Sequence, residues 1–320
     1  MVGPEFINCI VAARRQMTAE VVAVELRSST GLALPPWDPG AHIDLLLPSG
    51  QIRQYSLCGT PGDSSTYRVA VLHEAQGTGG SAEFHDKVIV GGPVRIGVPR
   101  NHFPLIAARR YRFIVGGIGI TPILPMIADA EAKGAEWQLV YGGRNRRSMA
   151  FLDEIARYDN GRVILSPQDE VGLPDLTAAC AQLDGRTLVY CCGPEGLLRA
   201  VEQECAAQGQ AGSFHFERFA PSGEIAASRS GDHEFKVTLG RSGITLTVPP
   251  QRSILEAILD VRPRTPAGCR KGYCGACETR VISGLVDHRD EILSDEERLA
   301  NNTMLICVSR AHCANLVLDL

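Results

Sequence analysis

Apolar positions in the first third of the chain come in short, β-rich runs. VVAVELRSS, HIDLLLPSG, IRQYSL, YRVAVLHEA and PVRIGVPR lie between Phe6 and about Phe103, separated by Pro, Gly, Ser and Asp. Such spacing predicts short strands forming a small antiparallel barrel. From Arg112 the rhythm changes: YRFIVGG precedes TPILPMIADAEAKG, and WQLVYGG precedes FLDEIARY. RVILSP and TLVYCCG follow, then EGLLRAVEQECAAQG. Strand-like runs alternating with helical ones predict βαβ units on a parallel sheet.

APSGEIAASRSGDHE has no periodicity and reads as a linker. FKVTLGRSGITLTVPP predicts two strands around a glycine-containing turn. SILEAILDV predicts a helix with Ser253 as N-cap and Glu256 completing a capping box. The chain closes on a strand, NLVLDL. The predicted class is therefore multidomain: a β-barrel over 1–105, an α/β parallel-sheet domain over 106–220, a linker over 221–233 and a small α+β domain over 234–320.

Composition narrows the function. The 320 residues carry a net charge of −4, which offers no basic surface for nucleic acid. The first residues, 1–15, lack the basic-then-apolar order of a signal peptide. The longest uncharged run, 113–128, is short for a membrane span and broken by glycine and proline. A cytoplasmic protein without membrane or nucleic-acid partners is expected.

Eleven cysteines is an odd number, against a fully paired disulfide framework. Cys9, Cys58, Cys180, Cys191, Cys192, Cys205 and Cys313 read as small structural residues. Cys269, Cys274 and Cys277 form C-x4-C-x2-C, and Cys307 follows after 29 residues. That is the ligand spacing of plant-type 2Fe–2S clusters, in which a tight loop supplies three thiolates and a distant segment the fourth. Zinc motifs more often come as two short pairs. A thioredoxin-like pair at Cys274 and Cys277 would need a strand–CxxC–helix context.

Two glycine-rich stretches suggest phosphate contacts. Gly77-Thr78-Gly79-Gly80-Ser81 precedes a short helix expected from Ala82, where free N–H groups and the Ser81 hydroxyl would meet an anion. In FIVGGIGITPILPMI a strand turns through glycines into a helix near Thr121-Pro122. The third glycine of a Rossmann fingerprint is missing, with Pro122 in its place.

Together these residues carry a resemblance. Arg53-Gln-Tyr55-Ser56-Leu57, Gly79-Gly80-Ser81, Gly116-Gly117-Ile-Gly119-Ile-Thr121-Pro122, Cys192-Gly193-Pro194, Glu217-Arg-Phe219 and the four cluster cysteines resemble the ferredoxin–NADP reductase-type flavoproteins. Within them the chain is similar to the phthalate dioxygenase reductase family, which places its ferredoxin domain last. The resemblance covers essentially the whole chain. It implies a flavin-binding barrel, an NAD(P)-binding domain and a C-terminal β-grasp ferredoxin domain.

The resemblance also implies roles. Arg53 would pair with the flavin phosphate, which Gly79, Gly80 and Ser81 hold. Tyr55 would pack on the isoalloxazine, with Ser56 near its N5 edge and Leu57 following. Val71, Leu72 and His73 would line the ring. Gly117, Gly119, Thr121, Pro122 and Arg144 would meet the nicotinamide nucleotide, and Cys192, Gly193 and Pro194 would flank its reacting ring. Phe219 would cover the flavin face. The implied catalytic set is Ser56, Thr121, Cys192 and Phe219.

FMN is expected rather than FAD, because the phosphate loop matches the FMN members. NADH is expected as donor, although Arg144, Arg146 and Arg147 leave NADPH open. The expected protein is a monomeric reductase passing electrons from NADH through FMN and a 2Fe–2S cluster to a Rieske-type oxygenase. A cytochrome P450 partner and a non-enzymatic redox-sensing role are the alternatives.

Overall fold

The computed structural model describes residues 6–75, 77, 79–181, 183–220, 231–263 and 265–320. Most of the expected linker, 221–230, and Thr78 of the glycine-rich loop lie outside the described residues. The chain divides into two compact units, one ending at Phe219 and one beginning at Ala220.

The first unit opens with β1 (Ile7–Gln16), β2 (Val21–Ser28), β3 (His42–Leu46), β4 (Ile52–Ser56), β5 (Tyr67–Leu72), α1 (Gly80–Lys87) and β6 (Pro93–Ile96). The strands lie in the order β4-β3-β6-β1-β2-β5, all antiparallel. An antiparallel bridge between Leu57 and Val69 joins the two edges and closes the barrel. Closure removes the unpaired edges that an open sheet would leave. Alternate residues point inward: Ile43, Leu45 and Leu47 join Leu26, Leu57, Val69 and Phe84 in one apolar core. The strand β1 was not among the runs singled out, since its half-polar sequence INCIVAARRQ lacks their apolar density.

The same unit continues with β7 (Arg110–Gly116), α2 (Ile120–Ala132), β8 (Glu136–Gly143), α3 (Leu152–Ile155), β9 (Val163–Pro167), α4 (Gln168–Val171), α5 (Leu176–Ala179), β10 (Thr187–Cys192), α6 (Glu195–Ala207) and β11 (Phe214–Glu217). These strands form a wholly parallel sheet in the order β11-β10-β7-β8-β9. FLDEIARY does not make one continuous α-helix. It starts from Phe151 in the left-handed region and passes after Ile155 into a 3₁₀ turn. Arg68 of β5 ties barrel to sheet through paired contacts of 2.8 and 2.9 Å to Glu154.

The C-terminal unit comprises β12 (Phe235–Leu239), β13 (Thr245–Val248), α7 (Ile254–Val261), β14 (Glu278–Ser283), β15 (Val286–Asp287), α8 (Asp295–Ala300), β16 (Thr303–Leu305), β17 (Arg310–Ala311) and β18 (Asn315–Leu318). Its main sheet is mixed, in the order β13-β12-β18-β14-β16, with β12 and β18 parallel. Ile254, Leu255 and Ile258 of α7 share a core with that sheet. The predicted capping box is present: Ser253 Oγ accepts from Glu256 N, and Ser253 N donates to the Glu256 carboxylate. A second box, Ser294 with Glu297, starts α8.

Candidate functional site

On the barrel, Arg53 and Gly80 are brought together although 27 positions separate them. A β-carbon at Gly80 would lie 2.2 Å from Arg53 Nε, so only glycine leaves the guanidinium room. The helix α1 begins at Gly80, two residues before expectation, after Gly79 at φ 86° and with no side-chain cap. Its end therefore offers a cation and main-chain N–H groups, the donor set that a phosphate takes. Ser81 Oγ accepts from Glu74 N at 3.0 Å.

Around this end stand the other barrel residues. Tyr55 packs edge-to-face on Phe84 at 5.2 Å, and burial raises its phenol. Leu57 and Val71 are in the core and Leu72 is half-buried. His73 meets His85 edge-to-face at 5.2 Å. His85 was missed: its Nε2 lies 3.0 Å from the carbonyl of Val71, tying α1 to β5. Burial lowers its imidazole from the ordinary value, and because a carbonyl only accepts, Nε2 carries the proton of that bond. An isolated histidine within EFHDK gave no signal of this in the sequence.

In the parallel sheet, β8 and β10 flank β7 on opposite sides, so the chain changes direction across the sheet there. Such switch points, at the carboxyl ends of the strands, are where open α/β sheets form a ligand crevice. Gly117 and Gly119 form a 3₁₀ turn after β7, while Cys192 ends the neighbouring strand β10 and Gly193 and Pro194 follow it. The two loops touch main chain to main chain: a β-carbon on Gly119 would lie 2.2 Å from the Cys192 carbonyl oxygen. Thr121 is buried and donates to Ile118 O at 3.0 Å, and Pro122 sits in the first turn of α2. Cys192 is also fully buried, and burial pushes its thiol well up.

A hydrogen bond joins the barrel to this crevice. Ser56, the last residue of β4, donates from Oγ to Glu217 Oε2 at 3.4 Å. Glu217 ends β11 and pairs in register with Cys192. Burial pushes its carboxyl up to about 8, against the opposing pull of the Ser56 hydroxyl. Glu217 carries no role in the sequence motif, because the desolvation of a carboxyl is not visible in the run FHFERF. Phe219 follows, 39% exposed.

The loop after β8 holds three arginines. Arg144 is ion-paired with Glu20, and Arg146 Nε meets both carboxylate oxygens of Glu170 at 2.9 and 3.0 Å. Arg147 is exposed.

In the C-terminal unit the four cysteines fall into pairs. The thiols of Cys269 and Cys274 are hydrogen-bonded to each other, as are those of Cys277 and Cys307. Two pairs are what a two-iron cluster asks for, with two thiolates to each iron. Main-chain donors already face the sulfurs: Cys269 N is 3.2 Å from Cys274 Sγ, and Lys271 N is 3.3 Å from Cys269 Sγ. Gly272, at φ 77°, lets the loop close, since a β-carbon there would lie 2.7 Å from Val308. Arg270 is one of three described non-glycine residues with positive φ, at 56°. The donor set and its small-residue cradle fit a 2Fe–2S cluster. Cys313 stands apart, with its sulfur 3.2 Å from Leu285 N.

Comparison with known proteins agrees. Residues 237–312 match the family described as the 2Fe-2S iron-sulfur cluster binding domain. The phenoxybenzoate dioxygenase subunit beta of Ectopseudomonas oleovorans is 42% identical over 94% of this chain and 93% of its own. The solved phthalate dioxygenase reductase is described as a modular structure for electron transfer from pyridine nucleotides to [2Fe-2S]. It superposes with a TM-score of 0.72 at 34% identity, over all of both chains. An intact type IV self-sufficient cytochrome P450 monooxygenase gives 0.89 at 40% identity, over 98% of this chain. The present chain spans only 41% of that longer protein. With full-length relatives at this level of identity, the chain belongs to the phthalate dioxygenase reductase family.

Proposed function

We propose that this chain is the NADH-dependent reductase component of an oxygenase system, with FMN in the barrel and a 2Fe–2S cluster in the C-terminal unit. The observation that carries the reading is the Ser56–Glu217 contact, which makes the barrel's candidate flavin edge and the candidate nicotinamide crevice one site. When bound, a flavin takes the two electrons of a hydride and releases them singly to a one-electron cluster. The chain's own work is to hold its groups. Arg53 and the start of α1 anchor a phosphate, and Tyr55 and Ser56 define the ring's position. The glycine loops at the switch point admit a dinucleotide, and Cys269, Cys274, Cys277 and Cys307 ligate iron. Phe219 covers the ring face, and Thr121 and Cys192 stand beside it. The division into 1–105, 106–220, 221–233 and 234–320 belongs to the same reading.

Engagement of Arg144 by Glu20 and of Arg146 by Glu170 supports NADH over NADPH, because a 2′-phosphate would have to displace a carboxylate. The electron acceptor is a Rieske-type oxygenase, as full-length similarity to dioxygenase reductase components supports. Likeness to the self-sufficient monooxygenase favours a cytochrome P450 as the second reading. A monomer working in the reducing cytoplasm accords with the free thiols. No helix of the described residues is long and apolar enough to cross a membrane.

The test is anaerobic mixing of the cofactor-loaded protein with NADH. Flavin bleaching followed by a reduced-cluster EPR signal is expected, and acid release should yield FMN. Absence of NADH-dependent reduction of ferricyanide or cytochrome c would overturn the assignment. Recovery of FAD would overturn the flavin. Electron delivery to purified oxygenases of the two classes distinguishes the partners.

A further inference from the structure

The outer face of β3 carries an unexpected polar ladder. Ile43 and Leu45 face the barrel core, so His42 and Asp44 face the other way, and both are buried. Opposite them on β4 stand Ser56 and Gln54. Leu57 N bonds Ala41 O at 2.8 Å and Leu47 N bonds Gln51 O at 2.8 Å. This phase makes His42–Ser56 and Asp44–Gln54 non-hydrogen-bonded pairs, in which side chains approach most closely. The second pair is in direct contact, with Gln54 Nε2 3.0 Å from Asp44 Oδ1. The first is the next rung on the same face.

His42 is 5% exposed, and neither ring nitrogen has a hydrogen-bond partner within the described protein. A buried imidazole with two unanswered polar atoms is costly unless something else answers them. Its polar neighbours are few. Arg100 is bridged to it by main chain and spends its guanidinium on Asp44 at 2.8 Å. His102 stacks at 5.6 Å. Ser56, in turn, leads to Glu217. Burial, with Arg100 and then His102 adding, lowers the His42 imidazole to about 3, so it is neutral across the working range. A neutral imidazole has one acceptor and one donor nitrogen, and a serine hydroxyl has one proton to give. Glu217 alone leaves the direction of that proton open: ionised it accepts from Ser56, and protonated it donates to Ser56.

We propose that His42 is a positioning residue for Ser56. Its neutral imidazole, through one bridging water, is the second hydrogen-bond partner of the hydroxyl and, with Glu217, sets how that hydroxyl faces the flavin edge. This rests on the assignment of Ser56 to the flavin edge made above. His42 touches no cofactor in this account and acts only through Ser56.

The experiment uses the FMN-loaded protein. With ¹⁵N-labelled histidine, the His42 ring signals are compared among wild type, Ser56→Ala and Glu217→Gln, and a change in both variants is expected. His42→Leu should move the infrared C=O band of the Glu217 carboxyl and displace the pH inflection of flavin reduction by NADH by about one unit. His42→Gln should restore most of both. If His42→Leu changes only the melting temperature, the proposal is overturned. Should that variant fail to fold, the ring signals decide, and insensitivity to Ser56→Ala overturns it equally. If Ser56→Ala and Glu217→Gln leave the flavin potential unchanged, the flavin-edge assignment falls and the proposal with it. If they shift it while His42→Leu does not, only the role of His42 falls.

Discussion

Arg53 lies so close to Gly80 that a single added carbon would meet its Nε at 2.2 Å. The guanidinium and the first turn of α1 thus occupy one small space, and a methyl group there must push the cation aside. Gly80→Ala is expected to weaken flavin binding roughly tenfold or more, the cost of about one displaced charge-assisted hydrogen bond. Fluorescence titration with FMN checks this. Cluster absorbance should be unchanged.

Cys307, the proposed fourth ligand, lies just after β16, far along the chain from the loop that holds its partner Cys277. Cys307→Ser should abolish the cluster's visible absorption and its EPR signal. Flavin reduction by NADH should stay within about twofold, because the residues proposed for it lie in the other unit. A surviving iron signal would show that the fourth ligand is another residue.

The half-buried Glu217 and the buried His42, both near the proposed flavin edge, pull stability in opposite directions with pH. Glu217 binds its proton more tightly when folded, up to about 8, so its contribution is lost as pH rises from about 4.5 to about 8. His42 binds its proton less tightly when folded, down to about 3, so stability falls as pH drops below about 6.5. Between about 4.5 and 6.5 the two slopes offset each other, each at most about 1.4 kcal/mol per pH unit. Urea unfolding of Glu217→Gln should expose the histidine slope, with stability falling towards acid. His42→Gln should expose the carboxyl slope, with stability rising towards acid. Identical pH profiles for both variants would contradict this pairing.

Arg68 reaches from the barrel to Glu154, and its guanidinium also lies 5.3 Å from the centre of the Phe151 ring. Both charged partners are about three-quarters buried, and the contact is bidentate. Glu154→Gln should cost about 1 kcal/mol, a fall of about 2–4 °C in melting temperature. Calorimetry of the loaded protein checks this, with flavin and cluster spectra unaltered.

The architecture was legible because each region follows a different local rule. Short β-rich runs, strand–helix alternation and the C-x4-C-x2-C spacing each marked one layer. The Ser253–Glu256 box was legible down to the hydrogen bond. What escaped was nonlocal. Nothing in HIDLL announces that His42 ends on a buried polar face, or in FHFERF that a half-buried Glu217 meets Ser56. His85 became informative only once α1 had folded against β5. The three arginines after β8 looked alike in sequence, and only the fold supplied carboxylates to two of them.

The contact between Gly119 and the Cys192 carbonyl has a consequence for how this enzyme class can diversify. A floor built from backbone presents no side chains for mutation to reshape, so drift cannot tune it by small steps. On the proposed reading, changes in coenzyme preference fall to the rim, at Arg147 and at Arg144 and Arg146 with their partners Glu20 and Glu170. The floor can then be inherited intact from one coenzyme preference to the next.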